Sequence, residues 1–397
     1  MNIMPLLNEA ERYLSENDVD RAAAMFEHAV KQSGGRSPLP FVGIARVALL
    51  TKKTAEATQI IDAVLTKFPK CAEALSVRGV IEEANGQFEA AESWHQRAVK
   101  QEPTLAMAHV NLGRLAAQQG KWSHAAASYQ LALQHGAATP DVGAQFGTAL
   151  FHAGRVTEAA RVLAHVVEAY PRHVDAVTTL ADVLVETGQL ELAAQLLDNA
   201  AQRVPKEPLI PSKRAAIAVR LKDLEAASRE AWRVTTLSPL DEEAWLFAAV
   251  VDTMRLRFDT AEKALKTVLK LSPNNWRALY HLGGLADAIK DKKEARRLYR
   301  AAITANPSAW EPLNNLAIML LEDGKPDALK EARTLLDRAI LLGTAPDAIC
   351  VRYNLALACF KLGDKVGTRR AAQELLKLAP VDHPMAAEAQ RVMKLAA

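Results

Sequence analysis

The sequence predicts an all-α fold, a solenoid of stacked helical hairpins, from three recurring features. Prolines return every 34 residues, with one interval of 68 that passes over Ala137. Turn glycines and small helix residues keep the same period, and apolar residues recur at helical spacing between them. A fixed period of this length is the sequence signature of units that stack on one another. The prolines are Pro69, Pro103, Pro171, Pro205, Pro239, Pro273 and Pro307.

The first helix of each repeat is predicted from its apolar spacing and from the glycine that follows it. In one repeat, Val110, Leu112 and Ala116 form an inward-facing apolar stripe. Gly120 then ends the helix, because glycine reaches left-handed backbone angles without a steric penalty. The same combination recurs at Gly86, so the pattern indicates a helix that stops at a fixed place in every repeat.

The second helix is predicted from its alanines and from the proline that closes it. Ala91 and Ala98 are small enough to let two helix backbones approach closely. Pro103 cannot continue a helix, since it lacks a backbone N–H and clashes with the preceding turn. One such hairpin cannot bury both of its faces, and stacking of neighbouring hairpins completes the core.

The spacing of Gly79, Gly86, Ala91, Ala98 and Pro103 resembles that of the tetratricopeptide repeat family, and the match covers nearly the whole chain. The resemblance implies a right-handed superhelical α-solenoid whose first helices line a concave groove. We expect an array over 3–380 and a capping helix at 383–397. The eleven expected units are 3–36, 38–71, 72–105, 106–139, 140–173, 174–207, 208–241, 242–275, 276–309, 310–346 and 347–382.

The C-terminal repeats depart from the strict period. The tenth unit carries three extra residues near Pro326, and a two-residue slip follows at Gly343 to Pro346. Insertions in repeat proteins go to loops. We therefore expect a longer inter-helix loop at Asp323 to Leu329 and a longer link into the eleventh unit. We also expect the last two units and their cap to form a semi-independent block.

The composition excludes several classes of protein. The net charge is +3, and acidic and basic residues are interspersed along the chain. Nucleic-acid binding needs a basic stripe instead. Cys71, Cys350 and Cys359 show neither metal-ligand nor disulfide spacing, which favours free thiols in a reducing compartment. The N-terminus lacks the features of a signal peptide, and no apolar run is long enough for membrane insertion. We therefore expect a cytoplasmic protein.

The sequence lacks the motifs of two common classes of catalytic site. Phosphate-binding glycine loops and the H-E-x-x-H pattern are missing, and the histidines are scattered. The neighbouring carboxylates Glu82 and Glu83 fit a solvated helix face better than acid–base catalysis. We therefore predict that the protein is not an enzyme and needs no metal or cofactor.

The resemblance places candidate partner-binding residues on the first helices. One helical place repeatedly holds a side-chain amide, which can both donate to and accept from an extended peptide backbone; solvated polar residues are the alternative explanation. The amides are Asn8, Asn111, Gln145, Asn315 and Asn354. The full set of groove candidates is Asn111, Arg114, Gln145, His152, Thr179, Asp182, Lys213, Arg220, Tyr280, His281, Asn315, Tyr353 and Asn354.

The charge of the expected groove changes along the array. The sixth unit offers Asp175, Asp182 and Glu186, whereas the seventh offers Lys213 and Arg220. A ligand with a basic and then an acidic segment would complement that order. Pairing between neighbouring repeats is the alternative.

Four charged residues occupy places where the family buries apolar side chains. Arg78 and Glu82 are four residues apart and are expected to pair on one helix. Arg214 and Asp252 lie on successive first helices and are candidates for a pair across repeats. Both a partly exposed pair and a polar seam at a flexible point fit this pattern.

These observations predict a non-enzymatic interaction scaffold. It would bind a segment of a protein or peptide partner in its concave groove, and it would not bind nucleic acid. The alternative is a self-associating structural or assembly component of a bacterial envelope, secretion or motility machine. A regulatory subunit of an enzyme fits the same sequence, and the partner's identity stays open.

Overall fold

Helices supply the regular structure of the chain. The computed structural model describes residues 2–342, 348–380 and 383–395, and it contains no β-strand within those ranges. The chain divides into two units, unit 1 at Met1–Pro205 and unit 2 at Lys206–Ala397.

In unit 1 the helices follow one another as antiparallel pairs, and each predicted repeat interval contains one pair. The pairs are α1 (Met4–Ser15) with α2 (Val19–Ser33), α3 (Leu39–Leu50) with α4 (Thr54–Lys67), α5 (Ala72–Ala84) with α6 (Phe88–Gln101), α7 (Ala106–Gln118) with α8 (Trp122–Gln134), α9 (Pro140–His152) with α10 (Val156–Ala169), and α11 (Val174–Glu186) with α12 (Leu190–Arg203).

Unit 2 repeats the same arrangement and ends in an additional helix. Its pairs are α13 (Leu209–Arg220) with α14 (Leu224–Leu237), α15 (Glu242–Met254) with α16 (Phe258–Leu271), α17 (Trp276–Ala288) with α18 (Lys292–Ala305), α19 (Trp310–Asp323) with α20 (Pro326–Leu342), and α21 (Ala348–Lys361) with α22 (Lys365–Leu378). The last helix is α23 (Pro384–Leu395), which lies inside the interval expected for the cap.

The turn between the two helices of a hairpin requires one left-handed residue. Gly86 fills this place between α5 and α6 with φ of 76°. In other repeats the same place is held by a residue with a side chain, including Lys222 and Leu256, both at φ of 60°. Left-handed angles are unfavourable for such residues. These turns are therefore imposed by the packing of the helices that they join.

The core of each hairpin is formed by close approach of its two helices. Gly113 of α7 lies directly against the Tyr129 ring of α8, and a Cβ atom at Gly113 would lie 2.8 Å from that ring. Ala125 and Ala132 on α8 are completely buried. The small residues that define the repeat in the sequence are thus the ones that let a large side chain of the second helix reach the first.

The prediction of a longer loop at Asp323 to Leu329 is wrong. Helix α19 ends at Asp323 and α20 begins at Pro326, so only two residues separate them. Helix α20 has 17 residues, whereas α18 has 14. The extra residues form an added first turn of α20, because proline is tolerated at a helix N-terminus where its missing N–H has no intrahelical partner. The expected longer link at Gly343 to Pro346 lies outside the described residues.

The structure also argues against a semi-independent C-terminal block. One hydrophobic cluster extends from Leu246 on α15 to Ala358 on α21. It includes Tyr299 before the expected boundary between residues 309 and 310 and Leu313 after it. The apolar core therefore continues through the tenth and eleventh repeats of unit 2. Among the helices that the structure describes, none combines the length and the apolar character needed to cross a bilayer.

Candidate functional site

A large cavity of unit 1 lies along the first helices of four successive repeats. It has a volume of about 780 Å³ and is lined chiefly by aliphatic side chains of α1, α3, α5 and α7. We call it the N-terminal groove. Its apolar lining includes Leu7, Leu39, Val42, Leu49, Leu50, Val77, Val80, Leu105 and Met107. Cavities of about 300–1,000 Å³ with mostly apolar walls and a few polar groups are typical of binding sites.

Two apolar side chains that line the N-terminal groove are more than half exposed to solvent. Leu50 is 60% exposed and Met107 is 54% exposed. A salt bridge between Arg46 and Glu11 also borders the groove, with an N–O distance of 2.5 Å. Exposed apolar residues beside a concave apolar surface and surrounded by charge are characteristic of an interaction site.

A chain of hydrogen bonds lies beneath the groove between the third and fourth repeats. Asn111 donates to Ser76 at 3.1 Å, and both residues line the groove. His95 is fully buried, with its Nε2 atom 2.9 Å from a Glu83 oxygen. Arg114 donates to both Glu83 oxygens at 2.5 and 3.0 Å. The chain ties α5, α6 and α7 together and fixes the polar end of the groove.

The carboxylate of Glu83 is buried and stabilised in its ionised form, so the expectation that it lies on a solvated helix face is wrong. Burial by itself raises the pKa of Glu83, but the hydrogen bonds from His95 and Arg114 outweigh it and hold the pKa below its usual value. His95 occupies the place that Tyr129 fills in the next repeat, since its ring lies against Gly79 as the Tyr129 ring lies against Gly113. A polar ring has thus replaced an aromatic core residue here, and Glu83 is its partner.

A second, smaller cavity of unit 1 lies further along the first helices. It has a volume of about 340 Å³, and we call it the Tyr129 pocket. Its wall combines aromatic, hydroxyl, amide and carboxylate groups from α7, α8, α9 and α11. The lining residues are Ala117, Trp122, Tyr129, Asp141, Ala144, Gln145, Thr148, His173, Asp175, Thr178 and Thr179.

The structure brings several predicted site residues of unit 1 to these two cavities. Asn111 lines the N-terminal groove, and Gln145 and Thr179 line the Tyr129 pocket. His152 ends α9 and stacks on Trp122, with 4.4 Å between the ring centroids. Arg114 reaches Glu83, as described above. Asp182 lies half-buried on α11.

In unit 2 the predicted amides are bonded to one another. Asn354 donates to Asn314 at 2.8 Å, and Asn314 donates to Asn315 at 3.4 Å. Asn315 in turn donates to the Tyr280 hydroxyl at 3.4 Å and to the Tyr299 hydroxyl at 3.5 Å. Much of the hydrogen-bonding capacity expected to meet a peptide backbone is therefore used between neighbouring repeats.

The other predicted residues of unit 2 lie on its first helices without forming one cluster. Lys213 is half-buried on α13, and Arg220 is the exposed last residue of that helix. His281 packs beside Tyr280 on α17, where burial, together with nearby Arg277, lowers the pKa of His281. Tyr353 lies half-buried on α21. Their role in partner binding stays a prediction.

Three of the four unexpected charges have defined surroundings. Arg78 and Glu82 form the expected pair on α5 at 2.9 Å. Asp252 is buried and accepts hydrogen bonds from Ser228 at 2.6 Å, Trp232 at 2.9 Å and Thr260 at 2.6 Å. The pair between Arg214 and Asp252 stays a prediction. Within the described ranges, no group of three or more histidine, cysteine or carboxylate residues is arranged to hold a metal ion.

Sequence reasoning did not find the N-terminal groove, although one signal was present. The helical place that holds Asn111 and Gln145 in later repeats holds Gly43 and Val77 in the second and third. Both of these residues line the groove. Two consecutive repeats without a polar side chain at this place are the pattern that marks the groove.

Models of the tetratricopeptide repeat match residues 42–106, 96–142, 150–217 and 255–310. Among solved structures, the crystal structure of yeast Tom70 is similar over 99% of this chain and 95% of its own, with a TM-score of 0.50 and 14% sequence identity. The Cut9–Hcn1 hetero-tetramer of the APC/C aligns over 100% of this chain and 90% of its own, with a TM-score of 0.44 and 15% identity. No curated protein matches the sequence. The likeness to Tom70 concerns the fold.

Proposed function

The chain belongs to the tetratricopeptide repeat family, and from this premise we propose that it is a non-enzymatic scaffold that binds a segment of a partner protein in the N-terminal groove. The single observation that supports this most strongly is the continuous apolar cavity along α1, α3, α5 and α7. Repeat arrays present extended surfaces of this kind because each hairpin adds one helix to the same side.

The lining of the groove defines the chemistry of the partner segment. Leu50 and Met107 gain most from being covered, since both are more than half exposed in the free protein. Burying side chains of this size contributes roughly 1.5–3 kcal/mol each. Asn111 and Ser76 supply polar atoms at one end of the groove. A segment with several aliphatic or aromatic side chains and a polar end fits this surface.

Introducing positive charge into the apolar groove tests the proposal. A protein carrying both Leu50→Lys and Met107→Lys should recover its partner from the native cell at least about tenfold less efficiently than the parent protein. Both side chains point into solvent, so the fold should be retained. The measurement is an affinity pulldown with quantitative mass spectrometry, combined with circular dichroism of the purified variants.

The matched control is Leu192→Lys on α12, which replaces a leucine that is 51% exposed and does not line the groove. It should recover the same proteins as the parent. Equal recovery of every protein by the double variant and the control would show that the N-terminal groove is not the binding surface.

A further inference from the structure

The Tyr129 pocket contains a tyrosine hydroxyl that lacks the hydrogen-bond partner of its counterpart in unit 2. Tyr129 and Tyr299 occupy the same place in their repeats, each packed against a glycine of the preceding helix. The Tyr299 hydroxyl accepts a hydrogen bond from Asn315. The residue at the place of Asn315 one repeat after Tyr129 is Gln145, which is exposed. Within the described ranges, the Tyr129 hydroxyl has no hydrogen-bond partner.

This difference leaves the Tyr129 hydroxyl free to meet a ligand, because the oxygen of this otherwise buried side chain is open to the cavity. Tyr129 is 98% buried, being only 2% exposed, yet it lines the cavity. Burial raises the pKa of Tyr129 to about 12, so the hydroxyl stays protonated at neutral pH and offers both a donor and an acceptor to the cavity.

The charge of the pocket is negative. Asp141 and Asp175 line it, and no lysine or arginine is among its lining residues. The Nδ1 atom of His173 accepts a hydrogen bond from the Ala176 backbone at 3.2 Å, which leaves its Nε2 atom to donate to Asp141 at 2.9 Å. Asp175 has no ion-pair partner among the described residues.

We propose that the Tyr129 pocket binds an arginine side chain of the partner segment whose apolar part occupies the N-terminal groove. This inference rests on the proposed function and names a second determinant of the same partner. A guanidinium carries five donors in a planar fork, which suits a wall of carboxylate, hydroxyl and amide oxygens. Trp122 supplies an aromatic wall on which a guanidinium can stack.

The inference is tested on the full chain without its partner, so that the outcome does not depend on the N-terminal groove. The probe is Nα-acetyl-L-arginine amide, and the matched neutral probe is Nα-acetyl-L-citrulline amide. Binding is followed through the indole N–H signals of the six tryptophans, with the Trp122 signal assigned by Trp122→Phe. The arginine probe should shift the Trp122 signal saturably, and the citrulline probe should bind at least about tenfold more weakly.

Two variants and a control identify the groups responsible. Asp175→Asn should weaken the arginine probe at least about tenfold, because a charge-assisted hydrogen bond is lost. Tyr129→Phe keeps the ring against Gly113 and should weaken the probe severalfold. Asp259→Asn also removes an exposed carboxylate from the first turn of a helix, α16, and should leave binding unchanged.

Three results would overturn the inference. The first is an equal response to the two probes, and the second is a Trp122 signal that does not saturate. The third is equal probe binding by Asp175→Asn and Asp259→Asn. If the groove variants lose partner recovery and any of these results is found, the N-terminal groove binds the partner and the inference about the Tyr129 pocket is wrong. If the arginine probe binds saturably but the groove variants recover the partner normally, the Tyr129 pocket binds arginine and the proposal for the N-terminal groove is wrong.

Discussion

At the scale of single residues, one repeat of unit 1 uses a buried ionic cluster where the next repeat uses the aromatic side chain of Tyr129. His95 fills the space above Gly79, and the cluster is completed by Glu83 and Arg114. Buried charges are tolerated only when they are paired and hydrogen-bonded. The cluster connects three helices beside the N-terminal groove, so its integrity should affect both stability and the shape of the groove.

We predict that the stabilising effect of Glu83 depends on pH. Its folded pKa lies below the ordinary value of 4.5, so its contribution is present above that pH and is lost as the pH falls further. Glu83→Gln should destabilise the protein by about 1–3 kcal/mol at pH 6, because His95 and Arg114 lose a charged partner. The measurement is the thermal midpoint of both proteins from pH 6 to pH 3.5.

The difference in thermal midpoint between the parent protein and Glu83→Gln should become smaller below pH 4.5. Glu89→Gln is the matched control, since Glu89 is an exposed carboxylate of the same hairpin, in the first turn of α6. A difference for Glu83→Gln that stayed constant over the whole range would contradict the account of this cluster.

At the scale of the elements, the hairpin turn is set by helix packing and is only assisted by its sequence. Gly86 is well suited to the left-handed place, whereas Leu256 and Lys222 adopt the same angles at a cost. The helices on either side are nevertheless of ordinary length, with 13 residues in α15 and 14 in α16. Burial along these helices therefore outweighs the strain at the turn.

We predict that Leu256→Gly stabilises the protein by about 1 kcal/mol, because it removes a left-handed non-glycine residue. Leu256 is 75% exposed, so little packing is lost. The measurement is the thermal midpoint, supported by hydrogen exchange of α15 and α16. Leu240→Gly is the control, since Leu240 is 79% exposed and is not among the residues with positive φ. A midpoint that falls equally in both variants would show that the turn is not strained.

At the scale of the whole chain, the core of unit 2 continues through its last repeats. Leu313 and Leu316 belong to the same hydrophobic cluster as Tyr299. A chain truncated after Ser308 would expose the cluster on that side. We predict that it loses more helicity than the removed segment contained, or that it aggregates. Circular dichroism and size-exclusion chromatography measure this, and a truncated chain with an unchanged thermal midpoint would contradict it.

Much of the architecture was predictable because the repeat constrains it strongly. The spacing of Pro103, Gly86 and their equivalents follows from helix termination, and the family matches and the fold of Tom70 confirm the helical solenoid. The added turn of α20 was not predictable, because Pro326 is compatible both with a loop and with a helix start.

The two cavities were harder to predict than the helices. The N-terminal groove is assembled from residues such as Leu7, Leu39, Val77 and Met107, which are separated by at least 30 residues and each resemble ordinary core positions. The Tyr129 pocket depends on the absence of one hydrogen bond that Tyr299 makes. The spacing of residue types gives one signal of the groove, at Gly43 and Val77, and no signal of the missing hydrogen bond.

Site-specific photo-cross-linking tests the central claim most directly. A photoreactive p-benzoylphenylalanine at Met107 places the reactive group at the rim of the N-terminal groove, and the same residue at Leu192 places it on α12, away from the groove. After irradiation in the native cell, we expect a discrete cross-linked partner from position 107 and none from position 192, with the adduct mapped to an apolar segment of that partner. Identical adducts from both positions, or partners captured from position 192 alone, would contradict the account.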